Sequence, residues 1–496
     1  MIQALLIANR GEIAVRIART AREMGIATIA AFAEADRDAF HTRQADRAVS
    51  LGAGTPRETY LSIPRLLEAA RVGEADAVHP GYGFLSEDAT FARAVDGAGL
   101  VWVGPPASAM EEMGEKLRAR RRMEAAGVPV VPGSHPDALT DAELAAEAER
   151  LGFPLLVKAS AGGGGKGMSR VETKEDLSAA LSEARRVASA AFGDETVYLE
   201  RLLDSPRHVE FQVFGDREGN IVQLFERECS VQRRHQKIVE ETPSPALDGP
   251  LRAAMGQAAV EAARAVGYVG AGTVEFLVDR GGRFYFLEMN TRLQVEHPIT
   301  EETLGVDLVR AQIEIAGGSS LREAWRSGAL APRGHAIELR LYAEDPVEFL
   351  PRSGRVLVYR DPAGPGVRVD AGIEEGSLVG VEYDPLLAKL VVFAEDRGAA
   401  IARARRALTE WVLLGVETNA PLLLRVLESE EFRSGRYDTG LVSRLPLPSP
   451  VAPPDAAWIC AALAFGGTGG TERTGATART PLPDPWSWGS AWRNGG

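Results

Sequence analysis

The chain has 496 residues, which is too many for one ordinary hydrophobic core, so we expect about two to four domains. Its formal net charge of −13 argues against a general nucleic-acid-binding protein. Cys229 and Cys460 are the only cysteines, and they form neither a disulfide framework nor a metal-ligand motif. Without an N-terminal signal pattern or a long apolar run, the sequence predicts a soluble, cytoplasmic protein with no membrane partner.

Strands and helices alternate over residues 1 to about 113. The predicted strands are the apolar runs at 4–8, 27–32, 75–79 and 100–103. This rhythm is typical of a doubly wound α/β domain. The stretch GYGFLS at 81–86 has Ser86 where a dinucleotide fingerprint has its third glycine, so we exclude a dinucleotide site there.

Two runs rich in β-branched and aromatic residues flank a Gly-Gly pair at 281–282 and predict a β-hairpin. With the two glycines at the centre of a tight turn, Arg280 faces Arg283. Counting outward then pairs Glu275 with Glu288. Directly opposed like charges destabilise a hairpin, so two carboxylates there indicate a divalent cation between them, such as Mg²⁺. A turn longer than two residues would shift this pairing.

Polar side chains then follow at every second position, at Glu288, Asn290, Arg292, Gln294 and Glu296. Residues two apart share one face of an extended chain, so all five can project into one site. A polar alternation is more commonly the solvent face of an antiparallel sheet. The mixture of acid, amide and cation here instead favours a functional site.

Residues 161–168, AGGGGKGM, follow a predicted strand at 153–160 that carries Lys158. Successive glycines leave backbone N–H groups free to approach phosphates, although such a loop can also be a flexible hairpin tip. It is not a Walker loop, because Met168 stands where Ser or Thr is required. A second notable segment, 225–241, is crowded with basic side chains but has no interleaved aromatics that would support nucleic-acid stacking.

Several of these stretches resemble the biotin carboxylases, the biotin-carboxylating subunits or domains of acetyl-CoA and acyl-CoA carboxylases, within the ATP-grasp superfamily. The most specific are MNTRLQVEHP at 289–298 and ERECSVQRRHQK at 226–237. The others are ANRGEIA at 8–14, HPGYGFLSE at 79–87, VKAS at 157–160, HAIELRLYAEDP at 335–346, YDPLLAKL at 383–390 and GVETNAPL at 415–422. The resemblance covers about residues 1–445.

The resemblance implies an α/β and α+β multidomain fold. Its expected parts are an N-terminal pre-ATP-grasp domain at 1–113, an ATP-grasp domain at 114–330 with a mobile lid at about 131–203, and a C-terminal biotin carboxylase domain at 331–446. Residues 447–496 are similar to a linker and the start of the middle domain in acyl-CoA carboxylase α subunits, with a tryptophan-rich docking surface at Trp486, Trp488 and Trp492. A biotinyl-lysine domain is absent from the sequence, so we expect either a truncated protein or a separate carrier.

By the same resemblance, residues can be assigned to the nucleotide and its metal ions. The expected ATP contacts are Lys116, Lys158, Gly163, Gly164, Gly165, Lys166, Gly167, Glu200, Arg201, Leu202, Leu203, His208, Gln232, His235, Glu275 and Glu288. Glu200 would accept from the adenine amino group, and the backbone of Leu202 or Leu203 would contact the ring edge. Glu275, Glu288 and Asn290 would hold Mg²⁺ or Mn²⁺, with two sites expected.

The resemblance also implies a bicarbonate site and a biotin site. The expected bicarbonate ligands are Lys237, Arg292, Gln294 and the N–H of Val295. Glu296 would be the general base on bicarbonate, and Arg340 would stabilise the negative ureido oxygen of biotin. The catalytic set is therefore Arg292, Glu296, Arg340 and Lys237. An alternative for Arg340 is a sheet-face ion pair with Glu338 or Glu344.

The implied function is ATP- and bicarbonate-dependent carboxylation of biotin N1′ through carboxyphosphate, the first half-reaction of an acetyl-CoA or acyl-CoA carboxylase. Methylcrotonyl-CoA and propionyl-CoA carboxylases are included among the candidate types. The expected partners are a biotin carboxyl carrier protein or domain, a carboxyltransferase subunit, and a second copy of the chain or a larger complex. Two alternatives stay open: another carboxyphosphate-forming ligase, such as a carbamoyl phosphate synthase, and a non-catalytic scaffold.

Overall fold

The computed structural model describes residues 2–134, 140–160 and 168–447. Its first elements are β1 (Ala4–Ile7), α1 (Gly11–Glu23), β2 (Ala27–Phe32), α2 (Phe40–Gln44), β3 (Arg47–Ser50), α3 (Ile63–Val72), β4 (Ala77–His79), α4 (Ala89–Gly97), β5 (Val101–Trp102) and α5 (Ala107–Gly114). The five strands form a parallel sheet in the order β3-β2-β1-β4-β5. This is the strand order of a doubly wound domain, and it confirms the predicted architecture.

Both faces of this parallel sheet are buried. Leu5 and Ile7 of β1 pack on one side with Ile17 of α1, whereas Leu6 packs on the other side with Ile29. A parallel strand covered on both faces needs a continuous apolar run rather than an alternating one. That requirement explains why the run at 4–8 contains no polar residue.

A small layered unit follows the first domain. Its elements are α7 (Asp141–Leu151), β6 (Leu155–Ala159), β7 (Met168–Val171), α8 (Leu177–Phe192) and β8 (Val197–Arg201). The preceding helix α6 (Lys116–Ala125) lies outside this unit, since its Ala119 and Met123 join the core beneath the large sheet. The strands form an antiparallel sheet in the order β7-β6-β8, with its own core around Leu155, Val157 and Leu199. The predicted phosphate contacts Gly163, Gly164, Gly165, Lys166 and Gly167 lie outside the described residues.

The largest element is an eight-stranded antiparallel sheet in the order β13-β12-β9-β10-β11-β14-β19-β17. The elements around its first five strands are β9 (Arg207–Gly215), β10 (Ile221–Arg233), β11 (Gln236–Thr242), α9 (Gly249–Ala265), β12 (Gly270–Val278), β13 (Phe284–Asn290), α10 (His297–Leu304), α11 (Leu308–Ala316) and α12 (Glu323–Arg326). The helix α9 packs beneath the hairpin, where Met255 and Ala259 contact the core around Val274 and Phe276.

The remaining elements are β14 (His335–Tyr342), β15 (Gly354–Arg355), β16 (Val358–Arg360), β17 (Val367–Ala371), β18 (Leu378–Val379), β19 (Leu386–Ala394), α13 (Arg397–Glu410), β20 (Val412–Leu414), α14 (Ala420–Glu428), α15 (Glu430–Arg433) and α16 (Leu441–Arg444). Pairing of Val239 with Leu339 joins β11 to β14, so the sheet continues past residue 330. The domain boundaries near 113, 330 and 446 stay predictions. None of the described helices is long and apolar enough to cross a bilayer.

The two faces of β14 have opposite character. Ile337 and Leu339 join an apolar core with α13 and α14. Glu338 and Arg340 share the other face, as residues two apart must, and both are buried. The strand therefore separates an apolar layer from a buried polar layer.

The predicted two-residue turn of the hairpin is wrong, but the predicted pairing is confirmed. Asp279 donates its N–H to the carbonyl of Arg283 at 2.8 Å, so three residues connect the pair, and Gly282 adopts φ +76°. A longer turn shifts the register by one residue. A β-bulge at Leu287 shifts it back, and Glu275 stands opposite Glu288.

Two further expectations are corrected beyond the hairpin. The polar alternation does not continue as a strand, because β13 ends at Asn290 and residues 291–296 form a loop before α10. The apolar stretch after Pro298, for which a single helix ending at Gly317-Gly318 is predicted from the sequence, forms two helices, α10 and α11, separated after Gly305, which has φ +66°. A left-handed glycine at this position ends an α-helix.

Candidate active site

Glu275 lies at the centre of the candidate site and contacts four side chains. Three of them donate hydrogen bonds to it, Lys237 Nζ at 2.7 Å, Asn290 Nδ2 at 2.8 Å and Gln294 Nε2 at 3.1 Å, and His208 Nε2 forms an ion pair with it at 2.7 Å. Burial alone would raise the pKa of Glu275, but Lys237 and His208 outweigh it and hold the pKa well below its usual range. The carboxyl group is therefore ionised at neutral pH.

Glu288 differs from its partner across the hairpin. It is half-buried, and burial together with the charge of Glu275 raises its pKa, while Lys116 opposes the rise. The pair thus carries negative charge that the protein compensates incompletely. Carboxylate oxygens are the ligands that Mg²⁺ and Mn²⁺ prefer, so Glu275 and Glu288 fit a divalent cation.

Asn290 is the third predicted metal ligand, and its amide is already engaged. Its Nδ2 donates to Glu275 Oε1 at 2.8 Å, and its Oδ1 accepts from Arg292 Nη2 at 3.0 Å. His208, Glu210 and Glu275 also bring ligand atoms within 4.8 Å of one another. Lys237 Nζ, however, binds both Glu210 and Glu275, at 2.5 and 2.7 Å. A lysine ammonium therefore occupies the position that a second cation would need.

Lys237 links the metal pair to the predicted general base. Its Nζ lies 2.5 Å from Glu210, 2.7 Å from Glu275 and 2.7 Å from Glu296. Burial would lower the pKa of Lys237, but the surrounding acidic groups raise it well above its usual range. The ammonium is therefore a permanent charge at the junction of three carboxylates.

Glu296 is fully buried and lies between two cations. Its Oε1 accepts from Lys237 at 2.7 Å and its Oε2 from Arg340 Nη2 at 2.9 Å. Burial would raise the pKa of Glu296, but Lys237, Arg340 and Arg227 together lower it well below its usual range. Glu296 is consequently a carboxylate, which is the form that can accept a proton.

The guanidinium of Arg292 organises the loop that replaces the expected strand. Nε donates to Glu87 at 2.9 Å, Nη1 to Gln294 Oε1 at 2.9 Å and Nη2 to Asn290 Oδ1 at 3.0 Å. These contacts draw alternate residues toward Glu275 without an extended backbone. The five polar residues converge as predicted, although the mechanism of convergence is different.

Arg340 forms a sheet-face ion pair, but its partner is Glu240 on the neighbouring strand β11 and not Glu338 or Glu344. Its Nη2 lies 2.5 Å from Glu240 Oε1 and 2.9 Å from Glu296 Oε2. Glu344 instead pairs with Arg233 at 2.5 Å. Arg340 therefore contacts both Glu240 and the predicted general base Glu296, and its role at biotin stays a prediction.

On the nucleotide side, Glu200 accepts from Lys158 and lies 3.2 Å from Arg120 Nη1. Burial lowers the pKa of Lys116, the charge of Glu288 opposes this lowering, and the charge of Lys158 adds to it. Cationic side chains such as these attract a polyphosphate. The contacts that we predict to ATP stay predictions.

Two of the residues that we predict to contact adenine already form hydrogen bonds within the protein. The N–H of Leu202 donates to the carbonyl of Pro154 at 3.3 Å, which leaves Leu203 as the better candidate for the ring edge. The side chain of Arg201 donates to the hydroxyl of Tyr285 at 3.2 Å. Neither contact excludes nucleotide binding nearby.

The two predicted ribose contacts differ in their surroundings. Gln232 lies 2.6 Å from Nδ1 of His208, so it belongs to the same polar cluster as Glu275. His235 is exposed in the turn between β10 and β11, with φ +67°. A positive φ is uncommon for a non-glycine residue, and the strained turn holds the imidazole at the surface.

Three acidic residues of the site were not assigned from sequence. Glu87 holds Arg292, Glu210 holds Lys237, and Glu240 holds Arg340. Each pairs with a predicted residue that is distant in the chain. Glu87 closes the motif HPGYGFLSE, and its charge next to an apolar run is the signal that could have identified it.

Three family models match consecutive parts of the chain. They are the biotin carboxylase N-terminal domain over residues 1–110, the ATP-binding domain of the carbamoyl-phosphate synthase L chain over 115–324, and the biotin carboxylase C-terminal domain over 338–444. The chain belongs to the biotin carboxylase family. The domain order of this family agrees with the observed mixed architecture and makes the chain an ATP-dependent carboxylase.

Relatives and solved structures of biotin carboxylases support this assignment. The chain is 48% identical to "Biotin carboxylase" of Halalkalibacterium halodurans, covering 89% of this chain and 98% of the relative. It is 47% identical to a pyruvate carboxylase subunit of Methanothermobacter thermautotrophicus, covering 89% and 90%. It superposes with a TM-score of 0.85 and 42% identity on the biotin carboxylase domain dimer of Hydrogenobacter thermophilus 2-oxoglutarate carboxylase, covering 89% and 97%. That structure contains MgADP, ADP and bicarbonate.

Some biotin carboxylase relatives are much longer than the matched region. The chain is 48% identical to the α subunit of Arabidopsis thaliana methylcrotonoyl-CoA carboxylase, and the match covers only 60% of that protein. The tail at 447–496, with Trp486, Trp488 and Trp492, lies almost entirely outside the described residues. Its similarity to a middle domain stays a prediction.

Proposed function

We propose that this chain uses ATP and bicarbonate to carboxylate N1′ of biotin. The observation that carries the proposal is the position of Lys237, whose ammonium contacts Glu275 of the acidic pair and Glu296 at 2.7 Å each. This contact brings the candidate site for metal and phosphate next to the candidate site for proton abstraction. Phosphoryl transfer to bicarbonate requires both a site for the metal and the phosphates and a group that takes the bicarbonate proton.

The first step forms carboxyphosphate. Arg292, Gln294, Lys237 and the N–H of Val295 would bind bicarbonate, with the planar fork of Arg292 facing the planar anion. The Glu296 carboxylate takes the bicarbonate proton, and a bicarbonate oxygen displaces ADP from the γ-phosphorus. Glu275, Glu288 and Asn290 would hold a divalent cation, which would supply neutralisation of the negative charge that develops during phosphoryl transfer.

The second step transfers the carboxyl group. Carboxyphosphate breaks down to CO₂ and phosphate, and the phosphate takes the N1′ proton of biotin. The N1′ electron pair then forms the bond to CO₂. Arg340 would stabilise the negative ureido oxygen, because its guanidinium is already aimed at the site through Glu296.

Water must be kept from carboxyphosphate, because the intermediate hydrolyses easily. We propose that residues 131–203 close over the phosphates as a lid that carries Lys158, while Lys116 on α6 supplies a second cationic contact from outside the lid. The separate core of this unit supports independent movement, since its apolar residues pack mainly among themselves.

We further propose that biotin reaches the site on a carrier protein or domain and that a carboxyltransferase subunit uses the product. Relatives that are subunits of pyruvate and methylcrotonoyl-CoA carboxylases support this assembly. A homodimer is proposed from the dimeric neighbour. A cytoplasmic location and a role in fatty acid biosynthesis are consistent with these partners and stay proposals.

The test is phosphate release from Mg-ATP with bicarbonate, with and without free biotin. We expect biotin to stimulate release. Stimulation only by a biotinylated carrier would support the reaction and show that the carrier supplies binding energy. Cleavage that depends on ammonia would indicate the carbamoyl phosphate type of ligase, and no cleavage under any of these conditions would favour a scaffold.

A further inference from the structure

Lysine is rare in this protein, which contains six lysines among 56 basic residues. Four of them are expected at the nucleotide or bicarbonate, namely Lys116, Lys158, Lys166 and Lys237. Lys174 is exposed and pairs with Glu149. The sixth, Lys389 on β19, is fully buried and has no part in the reaction described above. A buried lysine in a chain that otherwise uses arginine calls for a specific reason.

Lys389 stands directly opposite another buried cation. In the register of β14 and β19, Arg340 pairs with Lys389. Directly opposed like charges destabilise a sheet unless each has its own acceptor. On the other side, Lys389 faces Asp370, whose carboxylate is held by Arg368 Nη2 at 2.8 Å.

The two opposed cations bind consecutive residues of the same loop. Arg340 Nη2 donates to the side chain of Glu296 at 2.9 Å, and Lys389 Nζ donates to the main-chain carbonyl of Val295 at 2.7 Å. This carbonyl belongs to the peptide that joins Val295 to Glu296. Because a peptide is planar, holding its oxygen also sets the direction of the bond to the Cα of Glu296.

The orientation of the Glu296 side chain depends on a limited set of contacts. Glu296 precedes α10 without capping the helix, and Cys229 Sγ donates to its Oε1 at 3.8 Å. Its orientation therefore depends on Lys237, Arg340, Cys229 and the attachment of its backbone. A charge-assisted hydrogen bond to the backbone is stronger than a neutral one and is well suited to this task.

A second acceptor connects Lys389 to the first domain. Its Nζ lies 3.3 Å from Glu12 Oε1 at the start of α1. Burial raises the pKa of Glu12 to about 7, and Lys389 opposes that rise. The ammonium thus joins α1, the loop and β19 at one point.

We propose that Lys389 is a positioning residue that holds the Val295–Glu296 peptide, so that the general base and the Val295 N–H are oriented toward bicarbonate. The inference rests on the proposed function for the identity of the bound anion. The compact ammonium suits a single carbonyl acceptor in a filled space, whereas the wider guanidinium of arginine is suited to forked acceptors.

The test is Lys389→Met, which keeps the length of the side chain and removes its donors. We expect the KM for bicarbonate to rise about tenfold and kcat to fall, with the KM for ATP within about twofold of the parent. Lys174→Met makes the same chemical change at an exposed lysine and should leave both constants unchanged. Equal KM values for bicarbonate in Lys389→Met and the parent protein would overturn the proposal.

Removing one partner of a buried ion pair can prevent folding, so a second variant is needed. Lys389→Met combined with Glu12→Gln removes both charges together and avoids an unpaired buried carboxylate. We expect the double variant to share the raised KM for bicarbonate. Glu12→Gln alone keeps the contact with Val295 and should retain the parent value. If both Lys389 variants fail to fold, the lysine serves the fold rather than the loop, and the proposal is overturned.

Amide hydrogen exchange gives a readout that does not depend on activity. In Lys389→Met or the double variant, amides in residues 291–297 should exchange about tenfold faster, while those of β1 to β5 remain unchanged. Unchanged exchange in the loop would refute the positioning role. An inactive parent protein would refute the proposed function instead, and the exchange comparison would still decide the role of Lys389.

Discussion

The eight-stranded sheet contains two pairs of like-charged residues, and in each pair the two members lie opposite each other on neighbouring strands. Glu275 on β12 opposes Glu288 on β13 at one edge, and Arg340 on β14 opposes Lys389 on β19 farther along the sheet. The cationic pair is satisfied within the protein, by Glu240, Glu296, Glu12 and the carbonyl of Val295. In the acidic pair Glu275 is satisfied by its donors, but Glu288 is not, because burial and the charge of Glu275 raise the pKa of Glu288 against the opposing charge of Lys116.

The contrast between the cationic and the acidic pair shows how two opposed like charges in a sheet can be interpreted. A pair that the protein compensates forms part of the scaffold of a site. A pair that it leaves uncompensated is the place where a ligand of opposite charge belongs. The sequence pattern alone does not distinguish a compensated pair from an uncompensated one, since in both pairs the residues lie opposite each other on neighbouring strands.

The largest effect is expected at the residue that the cationic pair orients. Glu296→Gln keeps the shape of the side chain and removes its ability to accept a proton. We expect turnover to fall by about 10²–10⁴-fold, with ATP affinity nearly unchanged. Steady-state kinetics and nucleotide titration measure the two quantities. An equal loss of ATP affinity would contradict a role as base alone.

A smaller effect is expected at the uncompensated acidic pair. Glu288→Gln should reduce ATP cleavage by about 100-fold and raise the metal concentration needed for half-maximal activity. In the presence of a chelator, however, the same variant should melt at a higher temperature than the parent protein. The substitution removes the repulsion between Glu275 and Glu288, which is worth about 0.2–1 kcal/mol. Thermal melts with and without Mg²⁺ measure this reversal. A variant destabilised under both conditions would show that the pair is structural.

Arg340→Ser should alter coupling more than rate. ATP cleavage that depends on bicarbonate should persist, while carboxybiotin formed per ATP falls about tenfold, because Arg340 is proposed to act on biotin and not on phosphate. Parallel assays of phosphate and carboxybiotin measure the ratio. Normal coupling would return Arg340 to the set of structural ion pairs.

A compensated carboxylate should affect stability and leave turnover at neutral pH unchanged. Glu241 accepts from His335 and Arg397, which outweigh burial and lower its pKa to about 2. A depressed pKa stabilises the fold above the unfolded value near 4.5, and the contribution is lost as pH falls toward 2. The shift corresponds to about 3 kcal/mol.

Denaturant unfolding between pH 6 and pH 3 measures the contribution of Glu241. Glu241→Gln should flatten the acid limb of the stability curve, and Glu149→Gln, at an exposed ion pair, serves as the control. Parallel curves for the parent and Glu241→Gln would contradict the assignment.

The hairpin illustrates how much of the site the sequence can predict. Alternation and the glycine pair correctly predicted the opposition of Glu275 and Glu288, yet the turn is longer and the bulge at Leu287 restores the register. The longer turn and the bulge each shift the register by one residue, and no local sequence pattern predicted the bulge. The correct pairing therefore depended on two errors that cancel.

Long-range partners could not be predicted for a different reason. Arg292 is held by Glu87, which is 205 residues away in the chain, and Lys237 is held by Glu210 through strand order. Local periodicity identifies which face a residue occupies but not which strand lies beside it. The parallel first domain was predictable because its apolar runs alternate with helices, whereas the order of the eight-stranded sheet was not.

The most direct test of the account is the transfer of labelled bicarbonate to biotin in the presence of Mg-ATP, with Glu296→Gln as the matched inactive control. We predict acid-labile label on biotin with the parent protein and none with the variant. Phosphate release without any label on biotin, whether free or on a carrier, would contradict the assignment of this site to biotin carboxylation.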